Sequence, residues 1–119
     1  MSENAVKEKS MCFAVRIVNL YKFLVEERQE HTLSKQILRC GTSIGANVSE
    51  ALCAESQKDF IHKLHIALKE ANETKYWLEL MQHTGYINEK EADSMGKDLS
   101  ELLALLTAII KTVKTNINT

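Results

Sequence analysis

The sequence contains no proline and only four glycines among its 119 residues. Proline breaks helices and glycine weakens them, so a chain without the first and with few of the second can form long uninterrupted helices. Turn-rich β architectures depend on both residue types. The composition therefore predicts an all-α protein.

Apolar residues recur with helical spacing in four segments, which we predict to be helices at about residues 4–30, 34–54, 57–84 and 89–117. Thr32 or Ser34 can cap the second helix, Ser56 begins a capping box for the third, and Gly85 can end it. Asn88 is an N-terminal signal for the fourth helix. Because the connections are short, neighbouring helices must be antiparallel. We predict one domain, residues 1–119, folded as an up-down-up-down four-helix bundle.

The second helix carries two glycines, Gly41 and Gly45, four residues apart on one face. Each glycine costs roughly 1 kcal/mol relative to alanine in a helix interior. Close approach of another helix would offset that cost, so this face is predicted to pack tightly.

The first helix is apolar on two sides, one marked by Met11 and Val15 and the other by Phe13 and Ile17. The third helix has apolar residues nearly opposite its core stripe as well. A helix needs only one stripe to form the core of a monomer. We therefore predict an oligomer interface made of Phe13, Ile17, Leu20, Leu24, Ile66, Trp77 and Leu80.

The charge balance excludes a strong global attraction to nucleic acid, because the net charge is −1 and the pI is about 6.4. Nucleic-acid binding would require a local patch, for which the candidates are Lys58, Lys63, Lys69, Lys75, Lys111 and Lys114. These lysines are interleaved with acidic residues, which is also typical of an ordinary solvated face.

The cysteines and the hydropathy pattern indicate a cytoplasmic protein. Cys12, Cys40 and Cys53 form no CxxC pair and fall at apolar or small-residue positions, which favours buried, reduced thiols. No apolar run approaches the roughly 20 residues that cross a bilayer, so no membrane association is expected.

A polar set on the second helix is the main candidate site. Arg39, Ser43 and Asn47 follow one another at i, i+4, Glu50 lies one turn further, and Glu70 or Glu73 of the third helix can join them. One interpretation is a structural network in which Arg39 pairs with a carboxylate. The other is an anion site with Arg39 as the clamp.

We predict no enzyme activity, because no nucleophile and base are placed together in the sequence pattern. His62 and His65 are spaced i, i+3 after Asp59, but a di-iron bundle needs a second such unit on another helix. Neither a metal nor a cofactor is expected. A small-molecule or metal-binding bundle stays as the alternative function class.

A set of residues in a fixed order lies between Gln36 and Tyr86. It centres on Ser43-Ile44-x-Ala46-Asn47-x-x-Glu50, and its other members are Gln36, Arg39, Phe60, Ile66, Ala67, Glu73, Leu78, Gly85 and Tyr86. The chain thereby resembles the bacterial 23S rRNA intervening-sequence proteins, or S23 ribosomal protein family. That family is named for the location of its genes within rRNA insertions and not for an activity.

The resemblance implies a four-helix bundle that assembles into a closed ring of five. One branch of the family works with a reverse transcriptase in diversity-generating retroelements and binds nucleic acid through a basic surface. The expected partners are thus further copies of the chain as a homopentamer, a protein partner such as a reverse transcriptase, and RNA or DNA. The predicted function is a non-enzymatic oligomeric scaffold.

Overall fold

The computed structural model describes residues 2–118 as four helices: α1 (Ser2–Glu27), α2 (Leu33–Ala51), α3 (Gln57–His83) and α4 (Glu89–Asn118). The described chain measures 51 × 22 × 20 Å. α1 and α3 each pack against both α2 and α4, so α1 lies diagonally across the bundle from α3. The predicted all-α, antiparallel four-helix bundle is confirmed. Met1 and Thr119, which the predicted domain includes, lie outside the described residues.

The ends of α3 and α4 follow the sequence signals. The Ser56 hydroxyl accepts a hydrogen bond from the Asp59 amide at 3.0 Å, and the Asn88 side chain accepts one from the Glu91 amide at 2.8 Å. At the end of α3, Gly85 adopts a φ of 82° and the Tyr86 amide donates to the Met81 carbonyl at 2.9 Å. This geometry is a glycine cap of the Schellman type, in which a left-handed residue ends the helix.

The start of α2 differs from the prediction. Neither Thr32 nor Ser34 caps it through its hydroxyl, and the Ser34 hydroxyl instead donates to the Glu30 carbonyl at 2.8 Å. The cap is the side chain of Glu30, whose carboxylate accepts hydrogen bonds from the amides of Thr32 at 2.8 Å, Leu33 at 2.9 Å and Ser34 at 3.3 Å. A carboxylate at a helix N-terminus satisfies unpaired amides and interacts favourably with the helix dipole.

The turn before this cap begins earlier than predicted, because α1 ends at Glu27 and not at about residue 30. Gln29 adopts a left-handed φ of 51°, and the Glu30 amide donates back to the Leu24 carbonyl at 2.9 Å. This backbone path carries Glu30 inward, where only 6% of its surface is exposed.

The core is formed by one apolar stripe from each helix. On α1 that stripe contains Phe13, Ile17, Leu20 and Leu24, each at most 5% exposed. The prediction that these four residues form an oligomer interface is therefore wrong. Full burial of each such side chain contributes about 1.5–3 kcal/mol, which is enough to fix this side of α1 against its neighbours.

Gly41 makes this orientation of α1 possible. A Cβ atom at Gly41 would lie 2.6 to 2.9 Å from three side-chain carbons of Ile17. Gly45 is less constrained, since a Cβ there would lie 3.4 Å from the Ser10 carbonyl oxygen. The predicted close approach is thus confirmed, and it is concentrated at Gly41.

We expect Gly41→Ala to lower the free energy of unfolding by about 1–2 kcal/mol. The new methyl group overpacks against the fully buried, β-branched Ile17, and this outweighs the gain in helix propensity. Urea unfolding measures the change. Gly96→Ala in α4 is the control: a Cβ there meets nothing within 4 Å, so it should stabilise by up to about 1 kcal/mol. Equal effects of the two substitutions would contradict the close approach.

We expect Glu30→Ala to lower the free energy of unfolding by about 1–2 kcal/mol, because the first amides of α2 lose their acceptor. Thr32→Ala serves as the matched control. Its hydroxyl makes no capping bond, so its effect should stay within about 0.5 kcal/mol. A larger loss for Thr32→Ala than for Glu30→Ala in urea unfolding would show that threonine is the cap.

Candidate functional site

Arg39 links α2 to α3 at the centre of the predicted polar set. Its guanidinium contacts the carboxylates of Glu70, at 3.4 Å, and Glu73. Glu73 also accepts a hydrogen bond from the indole nitrogen of Trp77 at 3.0 Å. The ring of Trp77 meets that of Tyr76 edge-on, with centroids 5.1 Å apart. We call these five residues the Arg39 cluster.

The remaining members of the predicted set do not join this cluster. The Ser43 hydroxyl donates to the Arg39 carbonyl at 2.7 Å, and the Asn47 amide donates to the Ser43 carbonyl at 2.8 Å. Both side chains therefore bond to the backbone of their own helix. Glu50 pairs with Lys63 of α3 at 2.9 Å, and this hydrogen bond and the charge of Glu50 raise the pKa of Lys63.

The arrangement favours a structural role for Arg39. Two carboxylates already contact its guanidinium, so an added anion would have to displace one of them or meet their repulsion. The Arg39 side chain is 53% exposed, which limits the stabilisation that the pairs provide. The geometry gives little support to an anion clamp.

Two exposed apolar faces lie on the diagonal helices. On α1, Met11 and Val15 are 65% and 53% exposed, one turn apart. On α3, Tyr76 is 58% exposed, and Ile66, Trp77 and Leu80 are half-buried. Both stripes of α1 were predicted from the sequence, but the stripe predicted to face outward is the buried one.

The lysines proposed for nucleic acid lie on the adjacent helices α3 and α4. Lys63 is held by Glu50, and the other five, Lys58, Lys69, Lys75, Lys111 and Lys114, are exposed. Five exposed charges on two neighbouring helices are compatible with a basic surface, although acidic side chains lie between them on α3.

The cysteines differ in environment, which corrects the expectation that all three are buried. Only Cys40 is buried; Cys12 and Cys53 are exposed. The Thr74 hydroxyl donates to the Cys40 sulfur at 3.2 Å, and burial raises the pKa of the Cys40 thiol. Cys40 is therefore a core residue with little thiolate character.

Arg16 makes hydrogen bonds between two helices that were not predicted from the sequence. It joins α1 to α4 by donating to the Asp98 carboxylate at 2.6 Å and to the Ser94 hydroxyl at 3.0 Å. Beside it lies an open groove of about 410 Å³, which Phe23 and Arg28 also line. The available signal was that Arg16 shares one side of the first helix with the polar residues Asn19, Lys22 and Glu26.

Residues 2–118 contain no group of three or more His, Cys, Asp or Glu side chains arranged to hold a metal ion. His62 is exposed and His65 is half-buried. None of the described helices combines the length and the apolar character needed to cross a membrane.

Comparison with known proteins agrees with the fold. Residues 2–108 match the family model described as 23S rRNA-intervening sequence protein. The chain is also similar to a protein of unknown function from the S23 ribosomal protein family of Bacteroides thetaiotaomicron, whose crystal structure is known. The two are 61% identical with a TM-score of 0.93, and the match covers 93% of this chain and 99% of the other. Among curated proteins, none matches this sequence.

We expect Arg39→Ala to lower the free energy of unfolding by less than about 1 kcal/mol, because both ion pairs are partly exposed. The sequence contains one tryptophan, Trp77, whose indole donates to Glu73. Its fluorescence emission maximum should shift, because the substitution removes the ion pair between Arg39 and Glu73. Lys35→Ala, which removes an exposed charge from the same helix, should leave the emission unchanged. A loss of about 3 kcal/mol or more, as for a broken buried pair, would contradict this description of Arg39.

Proposed function

The chain belongs to the 23S rRNA-intervening sequence protein family, and on this basis we propose that it is a non-enzymatic bundle that self-associates into a scaffold. In this proposal the assembly is a homopentamer that works in the cytoplasm. It presents several copies of one surface to a protein partner, of which a reverse transcriptase is an example.

The observation that carries the proposal is the exposed apolar face of α1. Met11 and Val15 lie one turn apart near the middle of the helix, and more than half of each residue is exposed. Single apolar residues on a surface are ordinary, but neighbouring ones favour an interaction site. Burying apolar surface supplies a driving force for association, which must exceed the loss of translational and rotational freedom of the subunits.

The polar groups support a role without catalysis. Arg39 is engaged by two carboxylates, Ser43 and Asn47 bond to backbone carbonyls, and Cys40 is buried. These contacts account for the polar set as parts of the bundle and leave none of its members free as a nucleophile.

Nucleic acid is the second candidate ligand, and the exposure of five lysines on α3 and α4 favours it. A net charge of −1 per chain gives one bundle a weak overall attraction to phosphates. Assembly would repeat the same local patch in every subunit, and multivalent contact can exceed the affinity of any single patch.

Light scattering during size-exclusion chromatography tests the proposal. We expect a mass near five times the 13.5 kDa of one chain, and we expect Val15→Glu to give a folded monomer. Ala104→Glu, which adds the same charge at an exposed position of α4, should keep the wild-type mass. A monomeric wild-type protein would contradict the proposal.

Absorbance at 260 and 280 nm across the same peak tests the nucleic-acid component. Excess absorbance at 260 nm that disappears as salt is raised would support binding to phosphates. A pentamer free of nucleic acid at low salt, and without affinity for added RNA or DNA, would contradict this component while leaving the protein scaffold in place.

A further inference from the structure

We infer that the groove beside Arg16 is a binding site for a small aromatic carboxylate. The aromatic ring of the ligand lies against Phe23, and Arg28 binds its carboxylate. The groove has a volume of about 410 Å³ and lies at the end of the bundle where α1 ends and α4 begins. The site does not depend on the proposed self-association, because all of its residues belong to one chain.

The groove has the size and the lining of a small-molecule site. On α1 it is lined by residues spaced i, i+3, i+4 and i+7, namely Arg16, Asn19, Leu20 and Phe23. This spacing puts them on one side of the helix over a length of about 10 Å, which suits a ligand of one or two rings. Leu20 is 5% exposed, and Ile87, just before α4, is 4% exposed, so the floor is apolar. Small-molecule sites are typically apolar clefts of about 300–1,000 Å³ with a few polar groups.

Phe23 and Arg28 place an aromatic surface and a cation side by side. Phe23 is 39% exposed, and the guanidinium carbon of Arg28 lies 5.2 Å from the centroid of its ring. This cation–π contact holds the guanidinium next to the ring. One planar ligand can therefore pack its ring on Phe23 and accept hydrogen bonds from Arg28, whose parallel N–H groups match the two oxygens of a carboxylate.

Arg28 can bind an anion without losing an existing ion pair. Of the three arginines in the sequence, Arg16 pairs with Asp98 at 2.6 Å and Arg39 pairs with two carboxylates of α3. Among the described side chains, no ion pair involves Arg28. A ligand carboxylate would thus gain a charge-assisted hydrogen bond there and displace nothing.

The charges along the groove determine the direction of the ligand. At one end Arg16 contacts Asp98 at 2.6 Å and Glu91 at 3.8 Å, so two carboxylates accompany one cation. They would repel an anion, whereas Arg28 at the other end would attract it. Asn88 also lines the groove, and its side-chain oxygen accepts from the Glu91 amide at 2.8 Å. Its NH₂ group is left as a second donor to the ligand.

Titration of the whole chain with 2-naphthoate, followed by ¹H–¹⁵N NMR, tests the inference. We expect saturable shift changes concentrated on the amides of residues 16–28 and 87–91, with a dissociation constant of about 1 mM or tighter for a ligand of this size. Two comparison compounds each lack one feature: 2-naphthalenemethanol has the rings without the charge, and decanoate has the carboxylate without a ring. Each should bind at least about tenfold more weakly.

A charge substitution at Arg28 locates the anion. Arg28→Gln, at an exposed position, should weaken the binding of 2-naphthoate at least about tenfold and leave the helices intact. Lys35→Gln is the matched control, because it removes one exposed positive charge from α2. It should change the affinity by less than about twofold, as expected for a screened distant charge.

Shift changes that do not saturate, or that centre outside the groove, would overturn the inference. Equal binding of either comparison compound would do the same, and so would equal effects of Arg28→Gln and Lys35→Gln. All of these results are obtained without reference to the mass of the assembly. The proposed self-association is therefore tested separately, by light scattering of the wild-type protein.

Discussion

The contact of Ile17 with Gly41 is the constraint on which the rest of the structure depends. Because residue 41 has no Cβ, α1 approaches α2 closely enough for the Ile17 side chain to occupy that space. The contact sets the rotation of α1 about its own axis. Phe13, Leu20 and Leu24 then face the core, and Met11 and Val15 face outward. The same contact thus determines the composition of the core and the chemistry of the exposed surface.

Much of the fold could be predicted from local signals. The absence of proline, the helical spacing of apolar residues and the signals at Ser56, Asn88 and Gly85 each depend on nearby residues, and the structure agrees with them. The cap at α2 could not be predicted in this way. Glu30 lies outside the usual capping positions, and it reaches the amides of Thr32 and Leu33 only because the turn at Gln29 carries it inward.

The assignment of the α1 stripes failed for a physical reason. Both sides of the helix are apolar, so periodicity alone is satisfied by either rotation. Packing decides which side of α1 faces the core, because the Ile17 side chain occupies the space that a Cβ atom at residue 41 would fill. The candidate site shows the same dependence on tertiary placement. Helical spacing put Arg39, Ser43 and Asn47 in one row, but contacts with α3 decide that only Arg39 joins Glu73 and Trp77.

The rotation of α1 about its own axis can be measured directly by nuclear Overhauser effects between methyl and α protons, once the resonances of the protein are assigned. We expect strong contacts from the Ile17 methyl groups to the α protons of Gly41, and none from Val15 to any residue of α2. Contacts from Met11 or Val15 to Gly41 would show the opposite rotation of α1. They would contradict both the described core and the surface on which the proposed assembly depends.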